Sequence, residues 1–194
     1  MSAGEAPRLF DLVAGEVASH QWLPRLEIEE IPAPQKIAPY ALAIAATLND
    51  GGVELANGRL VLLHDPRGNA SWDGDFRCVS YIGADVDPQM GADPLISDVG
   101  WSWLVDALEE QHAQYVAASG TVTSVSSKGF GEMSEDPGTC SIEIRASWTP
   151  LIEQPADIVG HLQAWEELLE LAGGVPQLPE SVVSLEVARR DRIK

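Results

Sequence analysis

"YALAIAATLNDGG", residues 40–52, is the stretch on which the fold turns. Residues 40–48 are almost wholly apolar, and a polar NDGG follows. Periodicity alone cannot separate a short apolar strand from a buried piece of helix. The brevity of the run and the turn signal behind it decide for a strand. Tyr40, Leu42, Ile44 and Leu48 share one face, and Ala41, Ala43, Ala45 and Thr47 the other. Small side chains let another element approach closely, so a helix is expected over the alanine face. If residues 49–52 reverse the chain, "RLVLLH" (59–64) is its antiparallel neighbour.

The pattern continues outward on both sides. "FRCVSYIGA" (76–84) reads as a further strand, between polar loops at 65–75 and 85–100. Upstream, "LEIEEI" (26–31) alternates as a half-exposed strand, with a slip at Glu30 and Ile31. Three prolines in 32–39 make an extended connector. Downstream, "YVAASGTVTSVSS" (115–127) is β-rich. "CSIEIRASW" (140–148) sets Ile142, Ile144, Ala146 and Trp148 against Ser141, Glu143, Arg145 and Ser147, one face core and one face solvent. Helices are expected at 7–19 (Phe10, Val13, Val17), at about 99–112, and at about 155–172 (Ile158, Leu162, Trp165, Leu169, Ala172). The order α-β-β-β-β-α-β-β-α predicts an α+β fold: an antiparallel or mixed sheet of about six strands with helices packed on one face. One domain over 1–178 is expected, with 179–194 an extended or flexible basic tail.

Composition narrows the function classes. The chain has 194 residues, 45% of them hydrophobic, enough for one sizeable core. Thirty acidic residues against twelve basic ones give a formal net charge of -18. That balance repels phosphate backbones and argues against nucleic acid as a partner. Four of the basic residues crowd into the terminal "RRDRIK" (189–194). No apolar run reaches the roughly 18 residues of a membrane span, and the N-terminus lacks the basic region of a secretory signal. A cytoplasmic protein away from the membrane is expected. Cys78 and Cys140 are expected as buried free thiols.

Two tryptophans sit close together in "VGWSWLVDALEEQ" (99–111). On a helix, Trp101 groups with Leu104, Val105 and Leu108, and Trp103 lies about 200° further round. Trp101 is therefore assigned to the core. Trp103 is left for a covering loop, a partner interface or a ligand site.

Chemistry-bearing residues are few. Aspartates crowd two loops: Asp65, Asp73 and Asp75, then Asp85, Asp87, Asp93 and Asp98. Asp85 and Asp87 form a "DVD" step of the kind that holds a hard cation. The spaced glycine and distal glutamate of an EF-hand are missing. His64 with Asp73, Asp75, Asp85 and Asp87 is the candidate metal set. His20, His112 and His161 lack a matching spacing. "SSKGFG" (126–131) departs from the phosphate-cradling P-loop pattern. Ser119, Thr121, Thr123 and Ser126 stand outside any G-x-S-x-G elbow and read as the solvent side of a strand. No catalytic residue and no cofactor is assigned.

"LEIEEIPAPQKIAPYALAIAA", "GRLVLLHDP", "DPLISDVGWSWLVDAL", "SGTVTSVSS" and "IEIRASWTP" together resemble an actinobacterial family of uncharacterised proteins, domain of unknown function three thousand, over residues 20–172. The resemblance implies a cytoplasmic actinobacterial protein and carries no reaction, cofactor or catalytic residue. The order of elements is also similar to the type III secretion chaperone-like fold, with one strand more, whose members are typically protein-binding dimers. The expected function is a non-enzymatic, protein-binding or chaperone-like domain whose partner is another protein or a second copy in a homodimer. Its interface residues are Trp103, Glu143 and Arg145. The alternative is a divalent-metal-dependent hydrolase using the loop carboxylates.

Overall fold

The computed structural model describes residues 6–91, 93–135 and 138–175. The elements run in the expected order: α1 (Ala6–Ser19), β1 (Leu26–Glu30), β2 (Tyr40–Asp50), β3 (Val53–Asn69), β4 (Gly74–Val86), a single turn α2 (Pro88–Gly91), α3 (Ile96–Glu110), β5 (Tyr115–Ser127), β6 (Thr139–Pro150) and α4 (Ile158–Ala172). Every strand pairing is antiparallel, in one sheet of order β1-β2-β3-β4-β6-β5. The first four strands form a meander. The chain then crosses through α3 to the far edge, lays down β5, and returns to insert β6 between β5 and β4. The expected tail, 179–194, lies outside the described residues.

Burial of apolar surface sets the layering. Phe10, Val13 and Val17 of α1, Leu104 and Leu108 of α3, and Leu162, Trp165 and Leu169 of α4 join one core cluster. The sheet contributes Ile44, Leu48, Leu60, Leu62, Ile82, Ile142, Ile144 and Trp148 to it. These strand residues share one parity, so the helices pack on one face. On β2 that is the Ile44–Leu48 face, and the expectation of a helix over the alanines is overturned. A large apolar side chain gains more by leaving water than an alanine does. Cys78 and Cys140 are buried free thiols.

The central hairpin is longer than its apolar run. β3 and β4 absorb most of the expected 65–75 loop, leaving only residues 70–73 as a turn. Pairing between them lapses from His64↔Phe76 to Asn69↔Gly74, and Asp65, Pro66 and Gly68 fall in that lapse. The turn chemistry marks an irregularity within a continuing hairpin.

The two tryptophans also resolve differently from expectation. The buried stripe of α3 is Ile96, Gly100, Leu104, Ala107 and Leu108. A Cβ on Gly100 would meet Ile142 and Val122 at 3.0 Å, so the helix backbone lies close upon the sheet. Trp101 and Trp103 flank this stripe on opposite sides, each roughly 70–90° off its centre at about 100° per residue. Both are half-buried and pack against the core cluster.

Candidate functional site: the open face of the sheet

The helices do not cover the other face of the sheet, which is open around Val79 and Tyr81 while Ala43, Leu63, Arg77 and Thr149 on it are buried. Strand register arranges its side chains as a grid, because residues of one parity line one face. One row crosses the sheet as Glu29, Ala45, Arg59, Tyr81, Arg145 and Thr121. The next holds Ala43, Val61, Val79, Ser147 and Ser119. Beyond it stand Ala41, Leu63 and Arg77. On the opposite side of the Arg59–Arg145 row lie Glu27, Thr47, Asn57, Gly83, Glu143 and Thr123. A trough of about 560 Å³ runs along the middle, lined among others by Arg59, Val79, Tyr81, Ser119, Arg145 and Ser147. Val79 is 39% exposed there.

Arg77 anchors this face. It is only 8% exposed, and its guanidinium donates to the Ala117 carbonyl (2.8 Å) and to the hydroxyls of Thr149 (3.0 Å), Ser119 (3.2 Å) and Ser147 (2.6 Å). The Ala117 carbonyl belongs to a bulge in β5, where pairing shifts between Val116 and Ser119 and Ala117 adopts φ 52°. The arginine thus ties β4 to β6 and to the bulge. Burial pulls its affinity for the proton below the ordinary guanidinium value. It stays a cation, because arginine is not deprotonated in proteins. Thr149 also donates its hydroxyl to the Trp72 carbonyl, which draws the β3–β4 turn back toward this corner.

Arg145 lies over the Tyr81 ring, 5.5 Å from its centroid, and pairs with Glu143 at 2.6 Å. Glu143 and Arg145 are therefore on the open face, as the polar parity of β6 suggested. Trp103 is on the helical side and does not share a surface with them.

The candidate metal residues are dispersed. Asp73 and Asp75 sit at the start of β4, and Asp85 and Asp87 at its far end. At about 3.3 Å per residue the two pairs are centred roughly 40 Å apart along the strand. His64 and Asp75 come within 3.9 Å. Among the described residues no group of three or more His, Cys, Asp or Glu side chains gathers as a metal site. His64 itself is fully buried between aromatic rings, stacked on Phe76 at 4.1 Å.

Arg77 and Arg59 were not singled out by sequence reasoning, and Ser119 and Ser147 were read only as solvent-face strand residues. The signal for Arg77 was present: it alternates with Phe76 and Cys78 in an otherwise apolar strand. Its four partners come from distant segments, and only register brings them together.

No curated protein and no solved structure matches the chain. The similarity to the type III secretion chaperone-like fold therefore gains no structural neighbour. Among the described residues no helix is long and apolar enough to cross a membrane. The family model that does match, described as "Protein of unknown function (DUF3000)", spans residues 6–183, and the chain belongs to that family.

Proposed function

We propose that this chain is a protein-binding domain that docks its partner on the open face of the sheet. The observation that carries this reading is the one-sided layering. Six strands are covered by helices on one face only, and the other presents Val61, Val79 and Tyr81 among arginines and hydroxyls. Interfaces are built of this mixture: an apolar and aromatic centre, arginine, and a polar rim. The grid is fixed by backbone pairing, so a partner meets a surface already in its binding shape.

The test is capture by the full tagged chain from lysate of its own host, beside Val79→Asp. A stoichiometric partner held by the native chain and lost in Val79→Asp, with the melting temperature unchanged, supports the reading. A partner retained by Val79→Asp moves the interface off this face and overturns it. So does a native chain that captures nothing and sediments as a monomer.

A further inference from the structure

The open face is unevenly charged. The chain's formal charge is -18, and its basic residues outside the terminal hexapeptide are few. Three of these, Arg59, Arg77 and Arg145, stand together on the open face of the central strands β3, β4 and β6. Carboxylates on the same face lie elsewhere or are held. Glu27 and Glu29 are on the edge strand β1, Glu143 is paired with Arg145, and Asp85 stands at the far end of β4, two positions beyond Gly83. Among the described residues no carboxylate pairs with Arg77, whose acceptors are all neutral.

The two serines above Arg77 sharpen the chemistry. Ser119 Oγ and Ser147 Oγ both accept from the guanidinium and lie 3.3 Å from each other. Each hydroxyl has one proton to donate. The bond between them uses one proton. The second is left for a group in the trough that both serines line. A hydroxyl whose oxygen accepts from a cation is polarised and donates more strongly. The site therefore offers donors and positive charge to an incoming acceptor with negative charge. Beside it, Val61 and Val79 form an apolar shelf one row away from Arg59 and Arg145.

We propose that the occupant of the open face is an acidic segment of a partner protein. Its carboxylates meet Arg59, Arg145 and the hydroxyls of Ser119 and Ser147, and its apolar side chains lie on Val61 and Val79. This rests on the docking reading above and names the chemistry of the partner. Arg145 can hold a second carboxylate beside Glu143, since a guanidinium carries five donors. Glu27 and Glu29 repel acid at the β1 edge and so fix which end of the face the acidic side chains take.

The test titrates the isotope-labelled full chain with a capped Val–Glu octapeptide of sequence VVEEVVEE, which presents both residue types on each face of an extended chain. The matching Val–Lys octapeptide, VVKKVVKK, and inorganic phosphate are titrated in parallel. The Val–Glu peptide is expected to shift the backbone amides of residues 59–63, 77–81, 119–121 and 145–147. Its affinity is expected to fall at least about tenfold in the double variant Arg59→Gln/Arg145→Gln, by loss of charge-assisted contacts. Both residues are exposed enough that the variant folds; Arg77→Met, which removes an internal tie, is not needed. Lys128→Gln, away from the face, should leave binding unchanged.

Equal binding of the Val–Lys peptide, no binding of Val–Glu, or an unaffected double variant overturns the proposal. Phosphate binding as tightly as the peptide overturns it in favour of a free-anion site. A dimer that the double variant dissolves, with no peptide bound, makes the occupant a second copy and also overturns it. If Val79→Asp loses a captured partner while the double variant keeps it, docking on this face stands and the acidic chemistry fails.

Discussion

His64 shows what one buried residue does to the stability of the chain. Its ring is fully buried, stacked on Phe76 and parallel to Phe10 at 5.9 Å, and neither ring nitrogen has a hydrogen-bond partner. Burial lowers its proton affinity, against the opposing pull of Asp75 and then Asp65. His161 is similar: burial brings it down to about 4, against the Gln114 backbone and Asp157, and its Nδ1 accepts from the Trp148 indole at 3.1 Å. Both are neutral in the folded chain above their lowered values. As pH falls below about 6.5 the unfolded chain takes up these protons and the folded one does not. Stability is therefore lost on acidification, for His161 by up to about 1.4 kcal/mol per pH unit down to about pH 4, and His64 adds to the loss in the same direction. His64→Phe removes two unpaired nitrogens and keeps the stack. It should stabilise the chain by about 1–2 kcal/mol at pH 7 and flatten the loss of melting temperature between pH 7 and 5. Calorimetry of both chains across that range checks this; an unchanged slope would show that His64 titrates normally. In the sequence His64 stood out only as a candidate metal ligand beside an aspartate, since the rings around it come from α1, β2 and β4.

At the scale of elements, the same substitution should act with opposite sign at two glycines. Gly15 lies exposed on α1 with nothing within 4 Å of an added Cβ. Gly15→Ala should raise stability by about 0.5–1 kcal/mol through helix propensity and a less flexible unfolded chain. A Cβ on Gly120 of β5 would run into the Arg145 carbonyl and, at 2.8 Å, the Trp101 ring. Gly120→Ala should cost about 1–3 kcal/mol as an overpacked contact. Thermal melts of the two variants decide, and a neutral Gly120→Ala would mean that β5 moves away freely. These elements differ in how plainly the sequence announced them. The expected boundaries of β5 match those observed, and the apolar stripe of α4 is buried as written. Glu166, outside that stripe, is buried too; its carboxylate accepts from the Leu23 amide at 2.8 Å and meets His20 at 3.3 Å. The β3–β4 hairpin was shortened in the reading because Pro66, Gly68 and Gly74 are turn residues locally, and only pairing across the sheet overrides them. Glu143 and Arg145 were legible because clean alternation fixes the face, whereas the grid that joins them to Arg59 and Arg77 depends on register between strands.

For the whole molecule, charge is the dominant global fact. A formal charge of -18 sets the surface against itself, and compaction brings the like charges closer. Raising ionic strength from about 0.01 M to 0.15 M shortens the screening length from about 30 Å to about 8 Å. The melting temperature should therefore climb over that range of sodium chloride. A flat or falling curve would show that acidic residues are spaced widely enough to ignore one another. The strand order has a temporal consequence as well. β6 fills the gap between β4 and β5, so β5 has no strand to pair with until residues 139–150 exist. On the ribosome, the meander can close while the later edge waits for residues 139–150 to emerge. Refolding should reproduce that delay, with amides of β2 and β3 protected from exchange before those of β5 in a pulse-labelling experiment.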